Sequence, residues 1–375
     1  MNDPLLIVAD SEHDANMLYA VGMFVPDPFI FFQVGKRSTI IMSDLEVDRA
    51  RREASHCRVV ARSEVVRRLV RDKVQPPDTA AVIAYALKKA GVRKVRVPDN
   101  FPMGLAQRLE RLRIKVKPRA GDFFAERAKK TATEVKKISA ALTMAEVGLA
   151  EGIHAIKNSR VGKNRRLMYR NVPLTSERLR GIIGTAVIQA GGIAANTIVA
   201  SGLQTCDPHE RGHGVLKAGE PIILDVFPRS EQTGYFGDIT RTVVKGRASE
   251  AVRQLYRAVE EGQDLAFSLL CHGADSREIH LKVQAHFTSL GYRTGRSRGR
   301  MQGFFHSTGH GLGLDLHESL SIGPNSQDQL QEGHVVTIEP GLYFPNLGGV
   351  RLEDVALVTR RGARNLTRFE KVLEV

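Results

Sequence analysis

The sequence predicts two domains of mixed class, α/β and α+β: an α/β domain over residues 1–122 and a larger mixed domain over residues 123–375. Three observations carry this. A chain of 375 residues is long for a single core. Short apolar strands alternate with helical patterns as far as residue 122, and a long helical periodicity without proline follows. The end of the chain, after Gly333, reads as strands.

In the first domain FIFFQV (29–34) and STIIMS (38–43) flank Gly35-Lys36-Arg37, which reads as a hairpin turn. Asp78 opens a helix with apolar positions at Ala81, Val82, Tyr85 and Ala86, stopping at Gly91. KVRVP (94–98) and RIKVK (113–117) are further strands, and Asp122 to Ala128 marks the boundary. The next helix is expected from about Ala125 to Asn158, because Val135, Ile138, Leu142, Ala145, Leu149 and Ile153 recur every three or four residues. Pro173-Leu174-Thr175-Ser176-Glu177 opens a helix that reaches Ala190 and stops at Gly191-Gly192, and NTIVAS (196–201) begins a strand. Residues 247–271 and 275–290 read as helices, then VVTIEPGLYF (335–344) and GGVRLEDVALVT (348–359) as strands. Tyr292 to Gly303, rich in Arg and Gly, is the main loop and a candidate for mobility.

Composition narrows the function classes. The chain is 42% hydrophobic with no run of eighteen apolar residues, so no membrane span is expected. MNDPLLIVADSEHD lacks the basic start and long apolar run of a secretory signal, and Cys57, Cys206 and Cys271 lie far apart, which fits reduced thiols in a cytoplasm. The net charge of +14 is unevenly spread: 22 basic against 15 acidic residues in 1–125, 13 against 5 in 126–180, and 20 against 21 in 181–375. A basic first half raises the question of nucleic acid. The Lys and Arg residues at 127–137 and 157–170 read instead as solvated helix faces and ends, no zinc-finger or RNA-recognition motif is present, and few aromatics alternate with the basic residues. No nucleic-acid role is expected.

The stretch PIILDVFPRSEQTGYFGDITRTVV (221–244) poses a chemical problem. Asp225 follows an apolar run into what looks like a buried hairpin, and Asp238 enters the returning strand. A buried unpaired carboxylate costs several kcal/mol, and two facing each other repel. A cation between them removes both difficulties; the plainer alternative is that one aspartate pairs with Arg241 or caps a turn. Three more elements carry chemistry. In HSTGHGLGLDLHE (306–318), His306, His310 and His317 are spaced by four and seven, and glycines around His310 let backbone pass close to a bound group. Imidazole suits first-row transition metals. Glu339 ends the β-branched run of VVTIEPGLY, and Glu353 lies between apolar residues in GVRLEDVALV.

Taken in order, these four elements resemble the signature of the pita-bread metallopeptidases, the family of aminopeptidase P, prolidase, methionine aminopeptidase and the non-metal creatinases. The resemblance covers residues 125–375 and implies a pita-bread (creatinase/aminopeptidase) catalytic domain. The first domain resembles the α/β domain of creatinase, prolidase and aminopeptidase P. The resemblance implies that Asp225, Asp238, His310, Glu339 and Glu353 hold two divalent ions, with Asp225 on one, His310 and Glu339 on the other, and Asp238 and Glu353 bridging. A mostly oxygen ligand set favours Mn2+, with Co2+, Fe2+ or Zn2+ as alternatives. By the same resemblance Glu339 takes the proton of a water acidified between two cations. His317 faces the substrate carbonyl, His209 in CDPHERGH lines the substrate site ahead of His213, and His306 meets the group after the scissile bond. Arg351 would orient a bridging carboxylate from behind.

The expected function is a dinuclear metallo-exopeptidase, an Xaa-Pro aminopeptidase or Xaa-Pro dipeptidase, acting on a peptide or dipeptide with proline at the second position. The alternatives are an aminopeptidase or amidase of the same fold without proline selectivity, and a non-catalytic binding protein that keeps the fold. Relatives are commonly homodimers. The segment after His317-Glu318 reads Ser319-Leu320-Ser321, without the proline usual there in prolidases.

Overall fold

The computed structural model describes residues 3–74, 77–297 and 299–375. The chain forms two compact units, Met1–Arg127 and Ala128–Val375.

The first unit is an α/β layer structure. Six strands, β1 (Leu5–Ala9), β2 (Phe29–Val34), β3 (Arg37–Met42), β4 (Cys57–Ala61), β5 (Lys94–Val97) and β6 (Lys115–Pro118), form one sheet in the order β4-β3-β2-β1-β5-β6. The hairpin β2–β3 turns at Gly35-Lys36, and the Gly35 φ of 59° supplies the left-handed turn residue. Alternate residues of the sheet feed two cores: Leu6, Ile30 and Ile41 enter one, Ile7, Phe31 and Ile40 the other. The helix Thr79–Lys89 begins where Asp78 predicts, with the Asp78 carboxylate accepting from Ala81 N–H at 2.8 Å. Phe123 and Phe124 pack in the second core beside Phe31, which is why this unit extends past residue 122 to Arg127.

The helix expected from Ala125 starts later. Ala125–Ala128 is a single 3-10 turn, and α1 spans Ala132–Lys157. Thr131 sets that start through a capping box: Glu134 N–H donates to Thr131 Oγ1 at 3.3 Å, and Thr131 N–H donates to Glu134 Oε2 at 2.8 Å.

The second unit is built from two helix-on-sheet halves. In the first, α1 and α2 (Ser176–Gln189) cover a three-stranded antiparallel sheet of β7 (Ile198–Ser201), β8 (Pro221–Val226) and β9 (Ile239–Val244). In the second, α3 (Glu250–Leu269) and α4 (Ser276–Ser289) cover a five-stranded antiparallel sheet, where β10 (Gly309–Gly311) lies between β11 (Glu318–Ile322) and β12 (Val335–Ile338). β13 (Gly341–Phe344) and β14 (Gly348–Arg351) form a separate hairpin, and β15 (Asp354–Thr359) pairs with β12 on one side and β16 (Gly362–Asn365) on the other. The tail after Asn365 is not a regular strand, contrary to the strand-like reading of the whole terminus. The Tyr292–Gly303 segment is also more regular than a loop: Gly295–Ser297 and Arg300–Gln302 pair as a short antiparallel hairpin, while Arg298 lies outside the described residues.

Strand alternation sorts the chemistry from the core. Ile222, Leu224, Ile239 and Val243 point into the α1–α2 core, so Asp225, Asp238 and Thr240 take the opposite face. Val336, Ile338, Ala356 and Val358 point into the α3–α4 core, which leaves Thr337, Glu339 and Glu353 on the face away from those helices. The two helix-free faces meet: Glu353 N–H donates to Thr240 O at 3.1 Å, and Thr242 Oγ1 donates to Arg351 O at 2.9 Å.

Candidate metal centre

Asp225, Asp238, His310, Glu339 and Glu353 all line one cavity of about 640 Å3, together with His209, His306, His317 and Arg351. Three of the five candidate ligands sit just outside strands. Asp238 precedes β9, Glu339 separates β12 from β13, and Glu353 separates β14 from β15. At these breaks the ladder ends, and a side chain can turn into the cavity without losing sheet hydrogen bonds. Gly309 allows β10 to lie against β12, since a Cβ there would run into the Thr337 carbonyl.

Ligand atoms of Asp238, His310 and Glu353 lie within 4.8 Å of one another. The His310 Nδ1 hydrogen bond is to Gly311 O at 3.1 Å, which assigns the proton to Nδ1 and leaves Nε2 as a bare acceptor. Nε2 then faces Glu339 Oε1 at 3.4 Å and Asp238 Oδ2 at 3.8 Å. An imidazole lone pair among carboxylate oxygens is repulsive, and protonation is no remedy because burial pushes His310 down to about 4. Burial and mutual repulsion push Asp238 and Glu353 well above the usual carboxylate range, and burial pushes Glu339 up to about 8. Asp225 Oδ1 is buried without a hydrogen-bond partner among the described residues. All four observations ask for positive charge at one place, and the donor set of four carboxylates and one imidazole fits hard or borderline divalent cations.

The surrounding residues hold this set in place. Thr240 Oγ1 donates to Glu353 Oε2 at 2.7 Å, and Thr337 Oγ1 sits 3.5 Å from Glu339 Oε1 and accepts from His310 N–H at 3.1 Å. Arg351 is 3% exposed and reaches Asp225 Oδ2 at 2.7 Å and the Tyr343 hydroxyl at 3.1 Å. This corrects the expected role of Arg351: it grips Asp225, the terminal ligand of the resemblance, and not a bridging carboxylate. Arg351 ends β14, and its side chain reaches Asp225 on β8, while the Glu353 carboxylate meets Thr240 on β9. The plainer alternative for the aspartates also fails, because Arg241 pairs with Asp354 at 2.8 Å and leaves Asp225 and Asp238 to the cavity.

His306 lines the cavity with its ring. Its Nδ1 bonds Ser307 O at 2.8 Å, and its Nε2 accepts from the Tyr343 hydroxyl at 2.9 Å. Both nitrogens are engaged within the protein, so His306 offers the cavity a ring surface beside Phe305 and no polar contact. His317 is exposed and packs edge-on against His310, with ring centroids 4.2 Å apart. His209 reaches the cavity, whereas His213 lines a separate depression beside Gln204 and Glu220. The sequence reading missed Tyr343, Thr240 and Thr337, although all three lie inside the stretches it singled out.

Comparison with known proteins agrees with this geometry. Residues 136–360 match metallopeptidase family M24. The chain belongs to that family. A Pyrococcus horikoshii protein named Xaa-Pro dipeptidase is 30% identical over 286 residues, 76% of this chain and 75% of the relative. An uncharacterized peptidase of Bacillus subtilis is 37% identical over 177 residues, 47% of each chain. The fold of this M24 peptidase matches the crystal structure of an X-Pro aminopeptidase from Thermotoga maritima, with TM-score 0.83 at 22% identity, covering 100% of this chain and 97% of that one. It also matches a prolidase from Pyrococcus furiosus, with TM-score 0.79 at 24% identity, covering 98% and 97%. The pita-bread fold of the M24 family is therefore the fold of this chain, and the enzyme is a hydrolase.

Proposed function

We propose that this M24 peptidase is a dinuclear metal-dependent exopeptidase that cleaves the bond between an N-terminal residue and proline. The observation that carries the reading is the convergence of all five candidate ligands on one cavity, with Asp238, His310 and Glu353 in mutual reach. Relatives named Xaa-Pro dipeptidase support the proline preference.

Asp225, Asp238, His310, Glu339 and Glu353 would hold two divalent ions. Their mostly oxygen chemistry favours Mn2+ over Co2+, Fe2+ or Zn2+. Ions bound there would supply Lewis-acid polarisation of the scissile carbonyl and acidify a water. The protein groups do the rest. Glu339, at the end of β12 and lining the cavity, would accept a proton at a carboxylate oxygen once cations beside it keep it ionised, and return it to the departing amine. Asp225, fixed by Arg351, presents its free Oδ1 to the cavity. His317 and His209 stand at its solvent side and can donate to the developing oxyanion. Phe305 and the His306 ring give the proline an apolar surface.

A second cavity of about 790 Å3 shares Phe305, His306, Ser307 and Ser321 with the metal cavity and runs on toward Thr294 and Asp328. It supports substrates that continue beyond proline, alongside dipeptides. Homodimer assembly and a cytoplasmic location complete the proposal; among the described residues no helix is long and apolar enough to cross a membrane.

The test is a panel of Xaa-Pro and Xaa-Ala peptides of two to five residues with added manganese. Faster release of the first residue from the proline series is expected. Equal turnover of both series removes the proline selectivity. A metal-loaded protein that hydrolyses none of them and retains RNA or a protein partner through high salt restores the binding-protein alternative.

A further inference from the structure

Lys130 belongs to the basic run 127–137, which sequence reads as solvated. The structure buries it. Its side chain is 2% exposed, and Nζ donates to Glu318 Oε2 at 2.5 Å and to Ala128 O at 3.2 Å. The backbone there is fixed as well, since Lys130 N–H donates to Gly333 O at 2.8 Å, just ahead of β12. Glu318 is the residue after His317, with a side chain 10% exposed. Its other oxygen accepts from Leu314 N–H at 3.3 Å. A Cβ on Gly313 would collide with this carboxylate, so the loop is shaped around Glu318.

That loop runs from His310 to His317. Leu312 N–H holds its near end to Val335 O at 3.1 Å. His317 itself is exposed, with the ring contact to His310 as its packing. Glu318 also lines the metal cavity. Without a cation beside it, this carboxylate would be one more negative group against Asp225, Asp238, Glu339 and Glu353. A buried charge deprived of its partner rearranges or costs several kcal/mol.

We infer that Lys130 and Glu318 form a positioning device for the reaction: Lys130 neutralises Glu318, and the held carboxylate fixes the loop that aims His317. The inference rests on the reading of His317 as the histidine facing the substrate carbonyl. The pair adds a constraint outside the ligand set, connecting the start of α1 to the segment that follows the histidine motif.

The experiment compares wild type, Lys130→Met, Glu318→Gln and the double variant. It reads kcat and KM on an Xaa-Pro peptide and manganese content, and, in the chelated protein free of paramagnetic Mn2+, the imidazole resonances of isotope-labelled histidine, with the His317 signal assigned by its loss in His317→Asn. Lys130→Met is expected to lower kcat about tenfold with KM within about twofold, the pattern of a group acting through transition-state contacts. Metal content stays at the wild-type level, and the His317 resonance shifts. Adding Glu318→Gln restores kcat to within about threefold of wild type, because a neutral amide still accepts from Leu314 N–H and needs no cation. Wild-type kcat in Lys130→Met with a lowered melting temperature makes the pair merely structural and overturns the inference; so does loss of an ion, or an unmoved His317 resonance. If Lys130→Met does not fold, Glu318→Gln decides alone: a shifted resonance with lowered kcat supports the device, and wild-type values for both overturn it. If wild type turns over none of the peptides, the functional reading falls, and the resonance comparison still judges the pair.

Discussion

Two groups of buried carboxylates lie back to back in the second unit, and they differ in charge balance. Asp354 and Arg241 are each 1% exposed in their side chains and meet at 2.8 Å. The Arg241 guanidinium also donates to Glu353 O, Thr240 O, Phe369 O and Glu370 O, so its donors are matched. One residue earlier in sequence, Glu353 faces the other side of the sheet with Asp238, Glu339 and Asp225, and there, among the described residues, Arg351 is the one arginine lining the cavity. Asp238 and Glu353 are nearly as buried as Asp354, at 4%, 2% and 1% exposed, while Asp225 and Glu339 open slightly to the cavity. The first group is electrically complete and structural; the second lacks positive charge, and that deficit marks a place for metal ions. A buried acid by itself is therefore uninformative, whereas the local sum of charge and unmatched lone pairs is decisive.

Breaking the cavity group should have the largest effect on function. Asp238→Ala or Glu353→Ala should lose at least one ion and about 1,000-fold or more in kcat/KM, the scale on which a principal electrostatic element acts, while circular dichroism shows an intact fold. Full metal occupancy in both variants removes the bridging roles. Breaking the matched group should act on stability instead. Arg241→Met takes from Asp354 its buried partner and leaves it Lys371 at 3.4 Å and Asn365 at 3.2 Å, and chemical denaturation should show a loss of about 3 kcal/mol. A loss near zero would erase the contrast between the groups.

pH sharpens the same contrast. Glu339 is raised from 4.5 to about 8, and Asp238 and Glu353 are raised with it. A carboxyl raised in the folded state contributes stability that is fully present below its unfolded pKa and is lost as pH rises through the folded value. The chelated protein should therefore lose thermal stability between pH 4.5 and about 8, and the gain on adding manganese should grow across that window. A melting temperature of the chelated protein that rises over this range contradicts the shifts. The smallest effect is expected at Tyr343→Phe, which removes the hydroxyl between Arg351 and His306. A loss of about tenfold in kcat/KM with both ions retained is expected, the lower end for outer hydrogen-bond partners of a metal site.

The candidate ligands stood out in sequence because each acid interrupts an apolar strand pattern and the histidine sits among glycines, but it was the resemblance to the metallopeptidase signature that joined the five into one set. The hairpin, the helix at Asp78 and the helices of the second unit were legible from periodicity and capping residues. What surrounds the ligands was not. Arg351 meets Asp225 across 126 positions, and Lys130 meets Glu318 across 188. Such pairings depend on how the two sheets face each other, which no local pattern encodes. Lys130 was misread because the helix was placed across it; the Thr131-x-x-Glu134 capping box, visible in the sequence, shows that it precedes the helix.

Anomalous X-ray diffraction at the manganese edge, on crystals grown with Mn2+, tests the central claim most directly. The account predicts two peaks a few ångströms apart, enclosed by Asp225, Asp238, His310, Glu339 and Glu353. One peak, no peak, or peaks away from these five side chains would contradict it.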